Sequence, residues 1–301
     1  MIHIKTLLDE YRKKQSKEAK EASVLKFSGV GKKDVYNITA PFELSGKKVI
    51  AGRVEARDSE ASSVNLFEES EADVWVKIAD GIDLPLQDPF YTRINGKVIL
   101  GGVEVIFFED GKANWRTVFY QLNDCSFAKK LFEGPWGMKD LRLKQLSSGN
   151  ILILTRPQGK KGGRGKIGVT MINDLDELTI EIIDDAPLLS NQFCDSEWGG
   201  GNEIYEIDGR VWVLGHIAAF DDQGNRHYYA MRFCLDWETP AMVEAKIIAE
   251  RKDFASGPMK RPDLEDVVFS GGLHFVGKDA VLYAGISDAG AQKLKIENPF
   301  R

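Results

Sequence analysis

Cysteine is scarce in this chain of 301 residues: Cys125, Cys194 and Cys234 lie far apart, with no CxxC pair. So small and odd a set builds neither a disulfide framework nor a structural zinc finger. Histidine is nearly as rare, with four residues and no HxH or HExxH spacing, so no dedicated metal site and no cofactor is expected. Basic excess is missing too, since 40 Lys and Arg face 46 Asp and Glu for a net charge of −6. Generic nucleic-acid or anionic-membrane binding, which releases counterions through excess positive charge, is thereby excluded. No apolar run approaches the ~18 residues of a membrane span, and the start MIHIKTLLDEYRKKQ is too charged for a signal peptide. The expectation is a soluble, cytoplasmic protein.

What the chain does have is β structure in a repeating form. The first 22 residues read as a helix, with Ile4, Leu7, Leu8 and Tyr11 on one stripe. This arm offers a face to a second subunit or to the body of the protein, so an oligomer is compatible with it. Beyond it, short apolar runs end in Gly, Asn or Asp turns. Five segments align on one turn glycine: SGKKVIAGRVEA, NGKVILGGVEVI, SGNILILTRPQG, DGRVWVLGHIAA and VGKDAVLYAGIS, with the glycines at 46, 96, 149, 209 and 277. Glycine between two β runs is hairpin chemistry, because it accepts positive φ at little steric cost. Repeats of 50 to 68 residues, each built from several strands, point to propeller blades. The expectation is an all-β fold: a five-bladed β-propeller over 24–301 with an N-terminal helical arm over 1–23. A β-sandwich, the alternative, would not repeat one hairpin five times.

Inner strands of a propeller meet at a central channel, so polar residues on them converge whatever their separation in sequence. Arg53, Glu55 and Arg57 alternate onto one strand face, with Asp58 just beyond; buried charges there must pair or bind a polar ligand. Asp140 and Arg142 alternate likewise at the start of the third blade. The stretch from Arg156 to Lys166 holds five basic residues and four glycines with no acid. Such a segment looks like a phosphate-binding hairpin, with Arg156, Gln158, Arg164 and Lys166 as its polar members. Trp198, Asn202 and Glu203 flank a triple glycine, a combination suited to stacking on and hydrogen bonding to a sugar. His216 aligns on the repeat with Arg156, and Asp266 sits at the start of the last blade as Asp140 does at the third. Carboxylates, one anion site and no evident Ser or Cys nucleophile form the inventory of a phosphorolysis. An inverting hydrolase, which needs two suitably spaced carboxylates, and a non-catalytic sugar-binding propeller are the alternatives.

The motifs DVYN (34–37), GRVEARDSE, GMKDLR, TRPQGKKGGRGKIG, WGGGNE, GHIAAF, RHYYAMRF and KRPDLEDVVFSGG together resemble the mannogen transferase-phosphorylases, a family long catalogued as a domain of unknown function. The likeness runs from about Asp34 to Asp288. It implies a five-bladed propeller related to the inverting β-mannoside phosphorylases, acting on β-1,2-linked mannose oligosaccharides. The partners implied are phosphate, mannose 1-phosphate or a nucleotide-linked mannose. The related phosphorylases carry Glu-Asp-Pro-Arg around their acid, where this chain has Lys139-Asp140-Leu141-Arg142, so acid and Arg match while Glu and Pro do not. The resemblance gives Asp140 the acid role and Arg156, Arg164 and Lys166, with His216, the phosphate. The channel argument assigns sugar contacts to Asn37, Arg53, Glu55 and Asp58.

Overall fold

The computed structural model of the protein describes residues 1–14 and 20–301. Helix α1 (Ile4–Lys14) buries Ile4, Leu7 and Leu8 and places Arg12, Lys13 and Lys14 in its last turn, where cations meet the negative end of the helix dipole. Strands follow, gathered into five sheets. The first sheet holds β2 (Lys26–Ser28), β3 (Asp34–Tyr36), β4 (Phe42–Leu44), β5 (Lys47–Glu55), β6 (Ser62–Glu71), β7 (Val74–Lys77) and β8 (Asp83–Leu84). The second is β9 (Gln87–Ile94), β10 (Lys97–Phe107), β11 (Ala113–Leu122) and β12 (Ala128–Glu133). In the third, β13 (Arg142–Gln145), β14 (Ile151–Thr155) and β15 (Gly168–Ile172) carry the short helices α2 (Gly159–Gly162) and α3 (Ile180–Asp185) on their connections. The fourth comprises β16 (Glu197–Ile207), β17 (Arg210–Phe220), β18 (Arg226–Asp236) and β19 (Ala241–Ala249). The fifth joins β20 (Val268–Val276), β21 (Asp279–Ile286) and β22 (Gly290–Glu297) to β1 (Ala22–Val24) from the other end of the chain.

The aligned glycines do sit in the hairpins. At Ser45-Gly46, Asn95-Gly96 and Asp208-Gly209 both turn residues have positive φ, the backbone of a type I′ turn, which matches the twist of the flanking strands. The strand after each turn is buried on both faces, as in Val49–Glu55 and Val211–Ala218. The reason is visible in the core. Five hydrophobic clusters each lie between two consecutive sheets: Val49, Ala51 and Leu66 meet Val98 and Leu100 between the first and second, and Val35, Ile50 and Phe67 meet Tyr283 and Ala291 between the last and first. Every sheet is therefore packed on both sides, and the sheets follow one another in a propeller-like ring. This is the all-β architecture the repeats point to.

The helix does not extend to residue 22. Residues 15–19 of that reading lie outside the described residues, and Ala22–Val24 pairs antiparallel with Val24 opposite Gln292 and Ala22 opposite Leu294. An open edge of β22, distant in sequence, offers these residues a ladder that local helical propensity does not outweigh. Leu7 and Leu8 pack into the cluster shared by the third and fourth sheets, so α1 covers the body of the ring. Among the described residues no helix is long and apolar enough to cross a membrane.

Candidate active site

The first strands β9, β13, β16 and β20 succeed one another around the ring, each touching the next, with β3 beside the last sheet and β5 against β9. Near one end of these strands lies a cavity of about 200 Å³. Asn37, Arg53, Asp88, Lys139, Asp140, Arg156, His216, Tyr228 and Asp288 line it, drawn from all five sheets or their connections. Four of these hold a left-handed backbone, with φ of 44° at Asn37, 48° at Asp88, 62° at Asp140 and 49° at Asp288. Asn and Asp tolerate that region better than other side chains, and such strained positions gather where a fold over-determines a functional geometry.

One side of the cavity is built around Asp140, which is 3% exposed. Arg156 Nη1 stands 3.4 Å from its Oδ2 and Arg142 Nη2 stands 3.6 Å from its Oδ1. Arg142 is held from behind by Nε donating to the Asn202 carbonyl at 2.8 Å, with its guanidinium over the Phe90 ring at 3.7 Å. Arg156 Nε donates to the Gly199 carbonyl at 2.6 Å, while its Nη1 makes no hydrogen bond. Burial alone would raise the Asp140 carboxyl, but Arg156, Arg142 and Lys139 outweigh it and hold it at about 2. Burial lowers His216 to about 3, so its imidazole is neutral at neutral pH. In this state His216 brings no positive charge to the cavity. With Nδ1 facing Asn202 Oδ1 at 2.8 Å, it donates there and keeps Nε2 as an acceptor.

The opposite side is a tied set. Asp88 Oδ1 accepts from Asn37 Nδ2 at 2.7 Å and from Arg53 Nη1 at 3.1 Å. Arg53 continues through Nη2 to Glu55 Oε2 at 2.6 Å, and Lys260 closes on Glu55 from the last sheet's approach. Asn37 Oδ1 is left without a partner among the described residues. The Asp288 carboxyl is raised to about 6 by burial, with Arg53 opposing and Asp88 adding to the rise.

Several residues singled out in the sequence stand elsewhere. Glu55 is 1% exposed and serves Arg53 and Lys260 rather than the cavity, and Asp58 lies in the exposed turn after β5. The basic hairpin does not converge: Arg156 alone turns inward. Its α2 turn carries Lys160 outward, Lys161 bonds to the Asp184 and Ala186 carbonyls, and Lys166 pairs with Asp195 at 3.1 Å. Arg164 stands over Trp198 and Phe220, and Gln158 donates to the Arg164 carbonyl at 2.9 Å. Trp198 lies behind the cavity wall, with its Nε1 donating to Tyr228 Oη at 3.0 Å. Glu203 faces a second recess with Tyr91, Arg93 and Lys144, and burial raises it to about 7 despite bonds from Tyr205 and the Leu273 amide. Asp266 belongs to a neighbouring cleft, where it bonds His227. The triple glycine is a packing device: a Cβ at Gly200 would come within 3.0 Å of Arg156, Asp140 and His216.

Asp88, Lys139, Tyr228 and Asp288 are among the cavity residues to which the sequence reading gave no role. Asp88 had a signal, since Gln87-Asp88 opens β9 much as Lys139-Asp140 precedes β13.

A family described as "Protein of unknown function (DUF1861)" matches residues 11–301. Among solved structures, MPT-4, a mannose phosphorylase from Leishmania mexicana in complex with phosphate ion, is 33% identical at a TM-score of 0.91, covering 99% of this chain and 94% of that one. MPT-1, a GDP-Man-dependent mannosyltransferase from the same organism, is 29% identical at a TM-score of 0.89, with 99% and 95% coverage. A β-1,2-mannobiose phosphorylase from Listeria innocua shares the fold at 13% identity and a TM-score of 0.63 over 95% of this chain and 93% of that one. Comparison with curated proteins gives no significant match.

Proposed function

The chain belongs to the DUF1861 family, and we propose that it is an inverting glycoside phosphorylase that also runs as a mannosyltransferase, its five sheets being the blades of one propeller over 24–301. The substrate is a β-1,2-linked mannose oligosaccharide, with phosphate in one direction and mannose 1-phosphate or a nucleotide-linked mannose in the other. One observation carries this reading: a buried carboxylate, Asp140, shares the cavity with an arginine whose Nη1 lacks a hydrogen bond. The 33% identity to a mannose phosphorylase supports the sugar and the phosphate.

In phosphorolysis a phosphate oxygen bonds to the anomeric carbon, the glycosidic C–O bond breaks, and Asp140 gives its proton to the departing oxygen. Asp140 is ionised in the free protein because its arginines hold it at about 2. A phosphate anion seated on Arg156 offsets that field, and burial, now less opposed, lifts the carboxyl so that it can carry the proton. Once the proton has left, Arg142 and Arg156 stabilise the carboxylate. Arg164 and Lys166, outside the cavity lining, guide the anion inward rather than hold it. Asn37, Arg53, Asp88 and Asp288 meet the sugar hydroxyls.

The test is phosphate release from mannose 1-phosphate with a mannose acceptor, and its uptake with the oligomer. A second reading, an inverting hydrolase, is favoured by the Asp288 carboxyl in the same cavity, since hydrolysis needs a second carboxylate. Turnover of the oligomer unchanged by omitting phosphate would establish it.

A further inference from the structure

We propose that His3, Cys194 and Glu197 form a zinc site that ties the N-terminal arm to the start of β16. One ligand atom from each lies within 4.8 Å of the other two. Tetrahedral zinc with Cys, His and carboxylate ligands needs separations of roughly 3.3–3.7 Å, a closure within reach of side-chain adjustment. The ligands stand on backbone already joined. Cys194 and Glu197 are bracketed by a turn in which the Glu197 amide donates to the Cys194 carbonyl at 3.1 Å, which puts positions three apart on one side. His3 is brought to them because Ile2 bridges Phe193 and donates to the Gln192 carbonyl at 3.2 Å.

Glu197 has a second, independent feature. Its Oε1 accepts the Ile4 amide at 3.0 Å, capping α1, while its Oε2 is buried and makes no hydrogen bond among the described residues. A carboxylate oxygen shielded from water and left without a donor is costly unless a cation takes it. Thiolate, carboxylate and neutral imidazole together balance Zn²⁺, and the thiol proton is released on binding. The donor set selects a borderline metal such as zinc over calcium or magnesium, which take oxygen ligands. Spacing patterns miss this site because its ligands come from opposite parts of the chain. The next residues of β16 reach the cavity, where Gly199 holds Arg156, so the metal would stiffen that wall.

The inference does not depend on the sugar reading. Full-length protein, stripped with a chelator, is titrated with Zn²⁺ by calorimetry and with Co²⁺ by absorption. One equivalent of Zn²⁺ should bind with a dissociation constant below about 1 μM. Co²⁺ should give a thiolate charge-transfer band that Cys194→Ser abolishes. His3→Ala and Glu197→Gln should each weaken Zn²⁺ at least about tenfold. Glu197→Gln keeps an oxygen for the Ile4 amide, so an unchanged thermal midpoint without metal shows that the loss is one of ligation and not of folding. No stoichiometric binding, or binding that Cys194→Ser leaves intact, as His227 with Asp221 and Asp266 would produce, overturns the proposal.

Discussion

At the scale of single residues, burial and local charge set opposite directions for carboxyls that look alike in sequence. Asp140 is pulled down to about 2 by Arg156 and Arg142 against its burial, while Glu203, whose burial outweighs the bonds from Tyr205 and the Leu273 amide and the fields of Lys144 and Arg142, is pushed up to about 7. Asp140→Asn should lower mannosyl transfer to and from phosphate about 10²–10⁴-fold, read as kcat, while phosphate binds at least as tightly because a negative charge beside Arg156 is gone. Full activity in that variant would remove Asp140 from the acid role. Glu203 is predicted to act on stability. Its folded-state carboxyl lies above the ordinary value, so its contribution is complete at low pH and fades as pH rises through about 7. Between pH 4.5 and 7.5 Glu203→Gln should therefore flatten a decline of at most about 3 kcal/mol, measured by denaturant unfolding at several pH values. That Asp140 and Arg156 face the interior of the ring was legible in the sequence, from alternation and the repeat. Their pairing was not, because it depends on where two sheets meet.

At the scale of elements, turn chemistry was the most readable feature. An Asn-Gly or Asp-Gly pair acts within its own four residues, so local sequence and local structure agree at Asn95-Gly96 and Asp208-Gly209. The basic stretch misled for a related reason. Charge density says where cations are in sequence, whereas the α2 turn rotates successive side chains to different sides, leaving Arg156 in the cavity and Lys166 on Asp195. The triple glycine in β16 has a role its sequence does not announce: Gly200 permits the close approach of Arg156, Asp140 and His216. Gly200→Ala should confirm this. Its methyl would press on Arg156, Asp140 and His216 at 3.0 Å, and we expect catalysis to fall at least about tenfold while the thermal midpoint drops by only a few degrees. A midpoint drop with unaltered kcat would instead make Gly200 purely structural.

At the scale of the whole molecule, the ring is closed by strands from both ends of the chain, β1 on β22. Deleting residues 1–21 should leave a cooperative but less stable protein, as the contacts of Leu7 and Leu8 are lost. Deleting residues 1–25 should also bare the β22 edge and give aggregation, read by size-exclusion chromatography. Phosphate should raise the thermal midpoint by several degrees at about 100-fold over its dissociation constant, and Arg156→Ala should abolish the shift. The sequence by itself determined the all-β repeat and the short N-terminal helix, since periodicity and glycine turns act over a few residues. Tertiary structure decided which charges meet. Asn37, Asp88, Asp140, His216 and Asp288 share one cavity because packed sheets bring positions 50 or more residues apart together inside the ring, a result no local pattern encodes.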